Sequence, residues 1–147
     1  MTDGKVQITV KNTQTDISDE PMEAAYLGSY RQLVGKHLIT YEEYFGEEGA
    51  NPVKNTNLMK IEKSSVQITK KGAVTTKMCF EAGRRHIGSY QTPFGNFHMQ
   101  IDTERLAVKE TSQAVRVEIV YHLSLNGSAV SQCIIQMEIK NETSSSC

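Results

Sequence analysis

The sequence predicts an all-β fold, an antiparallel up-and-down β-barrel of about eight to ten strands. Three observations carry it. Apolar and polar residues alternate with period two along most of the 147 residues, the mark of half-buried strands. Turn signals such as "VGK", "KSS", "KKGA", "EAGRR" and "TPFG" separate these runs at roughly 8–12-residue intervals. No run repeats at helical spacing, and there is no internal repeat. Consecutive strands on short turns favour a meander. Closing it removes the two exposed edges that an open sheet would carry.

Taken in order, Lys5 to Lys11 places Val6, Ile8 and Val10 on one face. In "DISDEPMEAAY" the run Asp19-Glu20-Pro21 resembles a helix start but reads as a loop into the second strand. That strand, Glu23 to Val34, is rich in Tyr and interrupted by Gly28. Lys36 to Phe45 carries His37, Ile39, Tyr41, Glu43 and Phe45 on one face. After "FGEEGANP" come two short runs, Asn57 to Lys63 and Ser65 to Lys70. Val74 to Glu81 aligns Val74, Thr76, Met78 and Phe80; Arg85 to Thr92 follows; Phe94 to Thr103 aligns Phe97, Met99 and Ile101. Val115 to Leu125 is the clearest alternation, with Val115, Val117, Ile119, Tyr121, Leu123 and Leu125 on one side. "NGS" then supplies a type I′ hairpin turn, and Val130 to Lys140 returns with Cys133, Ile135, Met137 and Ile139 aligned. Residues 1–141 read as one barrel domain and 142–147, ending "SSSC", as a disordered tail.

Composition narrows the function. Sixteen basic and seventeen acidic residues give a formal charge of −1 with no basic stripe, so nucleic acid is not an expected partner. No stretch is apolar enough to span a bilayer and no secretory leader is visible, so a cytoplasmic protein that does not engage membranes is expected. Cys79, Cys133 and Cys147 form no C-x-x-C; Cys79 and Cys133 read as small buried apolar residues.

Four segments, "LITYEEYF" (Leu38–Phe45), "MKIEKSSVQITKKGAVTTKMCFEAG" (Met59–Gly83), "YQTPFGNFHMQIDTERL" (Tyr90–Leu106) and "IVYHLSLNG" (Ile119–Gly127), carry a resemblance. With Tyr41-Glu42-Glu43, Gly72-Ala73-Val74 and Tyr90-x-Thr92-x-Phe94-Gly95 in this order, the chain resembles the YwiB-like family of small bacterial proteins, a domain of unknown function. The resemblance covers nearly the whole chain and implies a calycin-like (lipocalin-like) barrel. It implies no activity. The family favours an arginine just before the Gly-Ala-Val turn, where this chain has Lys70 and Lys71; lysine keeps the charge and loses the planar fork.

The candidate chemistry is sparse. "TPFG" reads as a β-turn with Phe94 as an apolar plug; the functional alternative has Tyr90 and Phe94 rimming a pocket mouth. His98 and His122 alternate with apolar faces and point to solvent, while His37 and His86 share parity with interior positions. No metal-ligand spacing is present, so no metal and no cofactor are expected. Glu43 is the best candidate for an inward carboxylate, with Glu42 of opposite parity; the plain alternative is a strand-end glutamate, solvated or paired with Arg31 or a lysine. Lys70-Lys71 and Arg84-Arg85 read as turn-tip charges. No nucleophile motif and no phosphate loop occur, and no catalytic residue is assigned.

The remaining constellation is Tyr30, Arg31, His37, Tyr41, Glu43, Tyr90 and Phe94, a few polar groups inside or at the mouth of an apolar barrel. The leading expectation is a non-enzymatic binder of a small, partly apolar or anionic ligand in the barrel. The second is an interaction module with a filled barrel, its partner another protein or a second copy of the chain. The third is a small barrel enzyme using Glu43 with a histidine.

Overall fold

The computed structural model describes residues 1–15, 20–45 and 53–142. Its regular structure is ten strands: β1 (Gly4–Gln14), β2 (Met22–Leu33), β3 (Lys36–Phe45), β4 (Val53–Ile61), β5 (Ser65–Gly72), β6 (Thr75–Glu81), β7 (Arg85–Thr92), β8 (Gly95–Glu110), β9 (Ala114–Leu125) and β10 (Ser128–Asn141). Each pairs with its sequence neighbour, and β1 pairs with β10 to close the barrel. All pairings are antiparallel. The up-and-down barrel expected from the alternation is therefore the fold. The segment around Asp19, the "FGEEGANP" turn and the "SSSC" tail fall largely outside the described residues.

The middle of the barrel is apolar and occupied. Ile8, Ile39, Met59, Phe80, Met99, Ile101 and Ile119 are buried in one contiguous cluster, each removing an apolar side chain from water at about 1.5–3 kcal/mol. Two departures from simple alternation shape this interior. At Thr103–Arg105 the β8–β9 register shifts by one residue. The bulge resets the phase, so Leu106 and Val108 pack on the core and β8 runs on to Glu110, past the Thr103 end expected from pattern. Between β6 and β7 the ladder has only two residue pairs, Thr75–Gln91 and Thr76–Tyr90. Beyond them side chains bridge the strands: the Thr76 hydroxyl donates to the Ser89 carbonyl at 2.8 Å and His86 Nε2 to the Lys77 carbonyl at 3.0 Å.

β4 begins earlier than its expected start at Asn57. Its inward positions there are Asn55 and Asn57, both buried, so the polar–apolar alternation that marks a strand is absent. Cys79 faces outward, half-buried beside Gln67, while Cys133 is in the core. The Asn126-Gly127 hairpin has positive φ at both residues, 52° and 81°, as a type I′ turn requires.

Gly72 closes the β5–β6 turn against β4. Its φ is +143°, and a Cβ there would run into the Lys54 carbonyl oxygen and the Asn55 side chain. Asn55 Oδ1 meanwhile accepts from the Val74 N–H at 2.9 Å. Gly72→Ala is therefore expected to destabilise the barrel by about 2 kcal/mol or more, read as a lower urea midpoint at unchanged m-value.

Candidate functional site

The inward residues of six consecutive strands form a belt one layer above the apolar middle. Tyr41, Asn57, Lys70, Thr76, Tyr90 and Phe97 are successive cross-strand partners from β3 to β8. The layer beneath, Ile39–Met59–Ile68–Met78, is wholly apolar. The interior thus changes from dry to polar within one residue step at the end where β3 and β5 finish.

Glu43 organises this end. Its Oε1 accepts from Asn57 Nδ2 and from Lys70 Nζ, each at 2.7 Å, and its Oε2 from the Tyr26 hydroxyl at 3.3 Å. The side chains of Glu43 and Lys70 are 12% and 24% exposed, so the pair is largely but not fully buried. The Tyr26 and Tyr41 rings pack with centroids 4.7 Å apart. Burial, then the Glu43 charge, pushes both phenols above their ordinary range, so they stay protonated as donors at neutral pH. Asn57 is 0% exposed, and its Oδ1 has no hydrogen-bond partner. The described residues hold one other such side-chain atom, Thr103 Oγ1, at the β8 bulge.

The motifs quoted for the family resemblance converge here. In Tyr41-Glu42-Glu43 the first and third residues point inward, while Glu42 faces out to Tyr44 and Lys54. Gly72-Ala73-Val74 is the turn clamped by Asn55. In Tyr90-x-Thr92-x-Phe94-Gly95, Thr92 Oγ1 accepts from the Phe94 N–H and donates to the Gly95 carbonyl, a side-chain turn that starts β8. Lys70, just before Gly-Ala-Val, is no turn-tip charge; it shares the inward parity of Val66 and Ile68 and meets Glu43.

The single constellation expected from sequence resolves into two ends. Tyr30 and His37 lie at the opposite end, both buried. The carboxylate of Glu110 can only accept, so His37 Nε2 donates to it at 2.5 Å, and His37 Nδ1 is hydrogen-bonded to the Tyr30 hydroxyl at 2.5 Å. This chain links β3 to β8, which are not sheet neighbours, and so it spans that mouth. Beside it a hollow of about 440 Å³ is lined by Lys36, Lys63 and Val108 among others. Glu110 escapes a pattern-based reading because only the bulge turns it inward.

One expected site residue is corrected. Arg31 is exposed on the outer face, because neighbours in a strand point to opposite sides and Tyr30 takes the inside. Phe94, 95% exposed at the β7–β8 turn, is no buried plug; it stands at the Glu43 end of the barrel. Glu43 and His37 stand at opposite ends, so the carboxylate–histidine pair of the enzyme reading is not assembled from them. Asn57, Lys70 and Tyr26 belong to the site; parity alone offered Lys70 and Tyr26.

A family model described as "Domain of unknown function (DUF1934)" matches residues 6–137. Among solved structures the chain is similar to the ywiB protein from Bacillus subtilis, with a TM-score of 0.78 and 19% identity over 96% of this chain and 94% of that chain. At that identity the likeness carries the fold. No curated protein matches the chain.

Removing the cation from the belt tests its electrostatics. Lys70→Met leaves a largely buried carboxylate without its ion pair and is expected to cost about 2 kcal/mol, with more than half restored in Glu43→Gln/Lys70→Met; urea denaturation of the four-protein cycle reads it. Alkali tests the buried phenols. Tyr41 and Tyr121 are raised chiefly by burial, above an unfolded value of about 10. A raised folded value means their stabilisation is full below pH about 10 and is lost as pH rises above it. Tyrosinate absorbance from these two is expected to appear with unfolding, in one cooperative step, not ahead of it.

Proposed function

The chain belongs to the DUF1934 family, and from that premise and the geometry above we propose that it is a non-enzymatic barrel binding a small, partly apolar ligand. The ligand sits on the belt at the Glu43 end rather than in the barrel centre. The carrying observation is the convergence of the resemblance motifs on one buried, incompletely satisfied polar cluster, Glu43–Lys70–Asn57. Tyr26, Tyr41 and Tyr90 supply apolar area beside it, the mixture that orients a small molecule. The apolar middle supports this placement, since the core cluster leaves its side chains in contact with one another. Against the carboxylate–histidine enzyme stands the separation of Glu43 and His37, which bond different partners at opposite ends.

A second reading, self-association, is favoured by the outer face of β2–β4. Leu27, Tyr44 and Leu58 are all exposed there, where most apolar side chains of the barrel are turned inward.

Native mass spectrometry of the protein purified from its own cells, repeated after denaturation, separates the readings. The expected result is a monomer with a mass excess that disappears on denaturation. A clean dimer without excess mass would replace the binder reading with the second one.

A further inference from the structure

Two belt groups with unused hydrogen-bonding capacity, Asn57 and Lys70, are direct cross-strand neighbours. Asn57 Oδ1 is a buried acceptor without a donor, and its own Nδ2 is committed to Glu43. Lys70, opposite it in the β4–β5 ladder, donates to Glu43 and has further ammonium protons to give. A fully buried acceptor is rarely left empty in a folded protein, and here it adjoins a cation that is not fully buried. An acceptor beside a donor, both fixed on a sheet, is complementary to a group that carries a donor beside an acceptor.

We infer, resting on the binder reading, that the ligand presents a neutral, planar amide-type edge, as in a primary carboxamide, a lactam or a cyclic imide. Its N–H donates to Asn57 Oδ1 and its carbonyl oxygen accepts from Lys70 Nζ. Its apolar body lies toward Tyr26, Tyr41 and Tyr90. The alternatives fit less well. A carboxylate has no proton for Asn57 and faces Glu43. An ammonium satisfies Asn57 but faces Lys70. Glu43 and Lys70 sum to zero charge, so the pair carries no net charge to hold an ion. A lone hydroxyl can donate to Asn57 Oδ1 and accept from Lys70 only through the same oxygen, whereas an amide edge meets the two groups with two adjacent atoms. The head group expected of the ligand is therefore neutral, in place of the anionic group anticipated from sequence.

The test varies the ligand, so no variant has to fold. Benzamide, benzoate and N,N-dimethylbenzamide share the ring; benzoate lacks the donor and adds a charge, and the dimethyl compound keeps the carbonyl and lacks the N–H. Each is titrated into 15N-labelled wild-type protein. Benzamide is expected to shift the Asn57 side-chain amide and the backbone amides of Tyr41, Lys70 and Tyr90, and to bind at least about tenfold more tightly than either analogue. Equal affinities, shifts confined to other surfaces, or no saturable shift with benzamide would overturn the inference. A retained natural ligand without an N–H beside a carbonyl would overturn it while leaving the binder reading standing. A protein that retains nothing and shows no belt shift would remove both.

Discussion

Closure through β1 and β10 leaves each strand residue only two directions, into the barrel or out to water. In an open sheet a misplaced polar side chain can turn at an edge; in a closed one it must be satisfied where its parity puts it. Among the described residues, the charged inward groups meet that demand near the ends, while Asn57 Oδ1 and Thr103 Oγ1 are left without a partner. Glu43 accepts three hydrogen bonds at one end, and His37 is held on both ring nitrogens at the other. Between them most inward positions are apolar, and no hydrogen bond joins the two polar clusters among the described residues.

Each of the three motifs has a physical reason at the Glu43 end. Tyr-Glu-Glu places a carboxylate inside and its twin outside, where Lys54 and Tyr44 meet it. The outer carboxyl is held below its usual range by the Tyr44 and Lys54 hydrogen bonds. Gly-Ala-Val lets the β5–β6 turn lie flat on β4, which holds Lys70 at the height where it reaches Glu43. The Thr92-centred turn begins β8 opposite Tyr90. Turn geometry and site geometry are therefore one problem: a slip of one residue in either turn would carry Lys70 or Tyr90 to the outer face.

Much of the fold was legible because most inward positions are apolar. The β9–β10 hairpin was legible from its Asn-Gly turn and the alternation of Val115–Leu125 and Cys133–Ile139, although its register shifts between Ala129 and Ser131. Legibility failed where an inward position is polar or the phase changes. Asn55 and Asn57 hid the start of β4, since an inward asparagine looks like a loop residue until its partners are known. The bulge at Thr103–Arg105 hid the second half of β8 and with it Glu110. For the site, parity placed Tyr41 and Glu43 inside, whereas Arg31, expected at the site together with Tyr30, could not share the inward face with its immediate neighbour. Which inward residues meet across strands depends on register, which is why Lys70 read as a turn charge and Asn57 was not singled out.

The same register sets the two ends apart. At the His37 end Tyr30, His37 and Glu110 are hydrogen-bonded in series across the mouth. Both ring nitrogens of the histidine are taken there, and Lys36 and Lys63 line the hollow beside it. At the Glu43 end the count does not close. Three donors meet one carboxylate, and the asparagine that gives one of them is left with an acceptor facing nothing. Rotating Asn57 would not repair this, because its carbonyl would then face the Glu43 carboxylate and repel it. The unmet acceptor follows from the pairing of Tyr41, Asn57 and Lys70 on three adjacent strands, and the ligand proposed above would bring it a donor without disturbing the ion pair beneath.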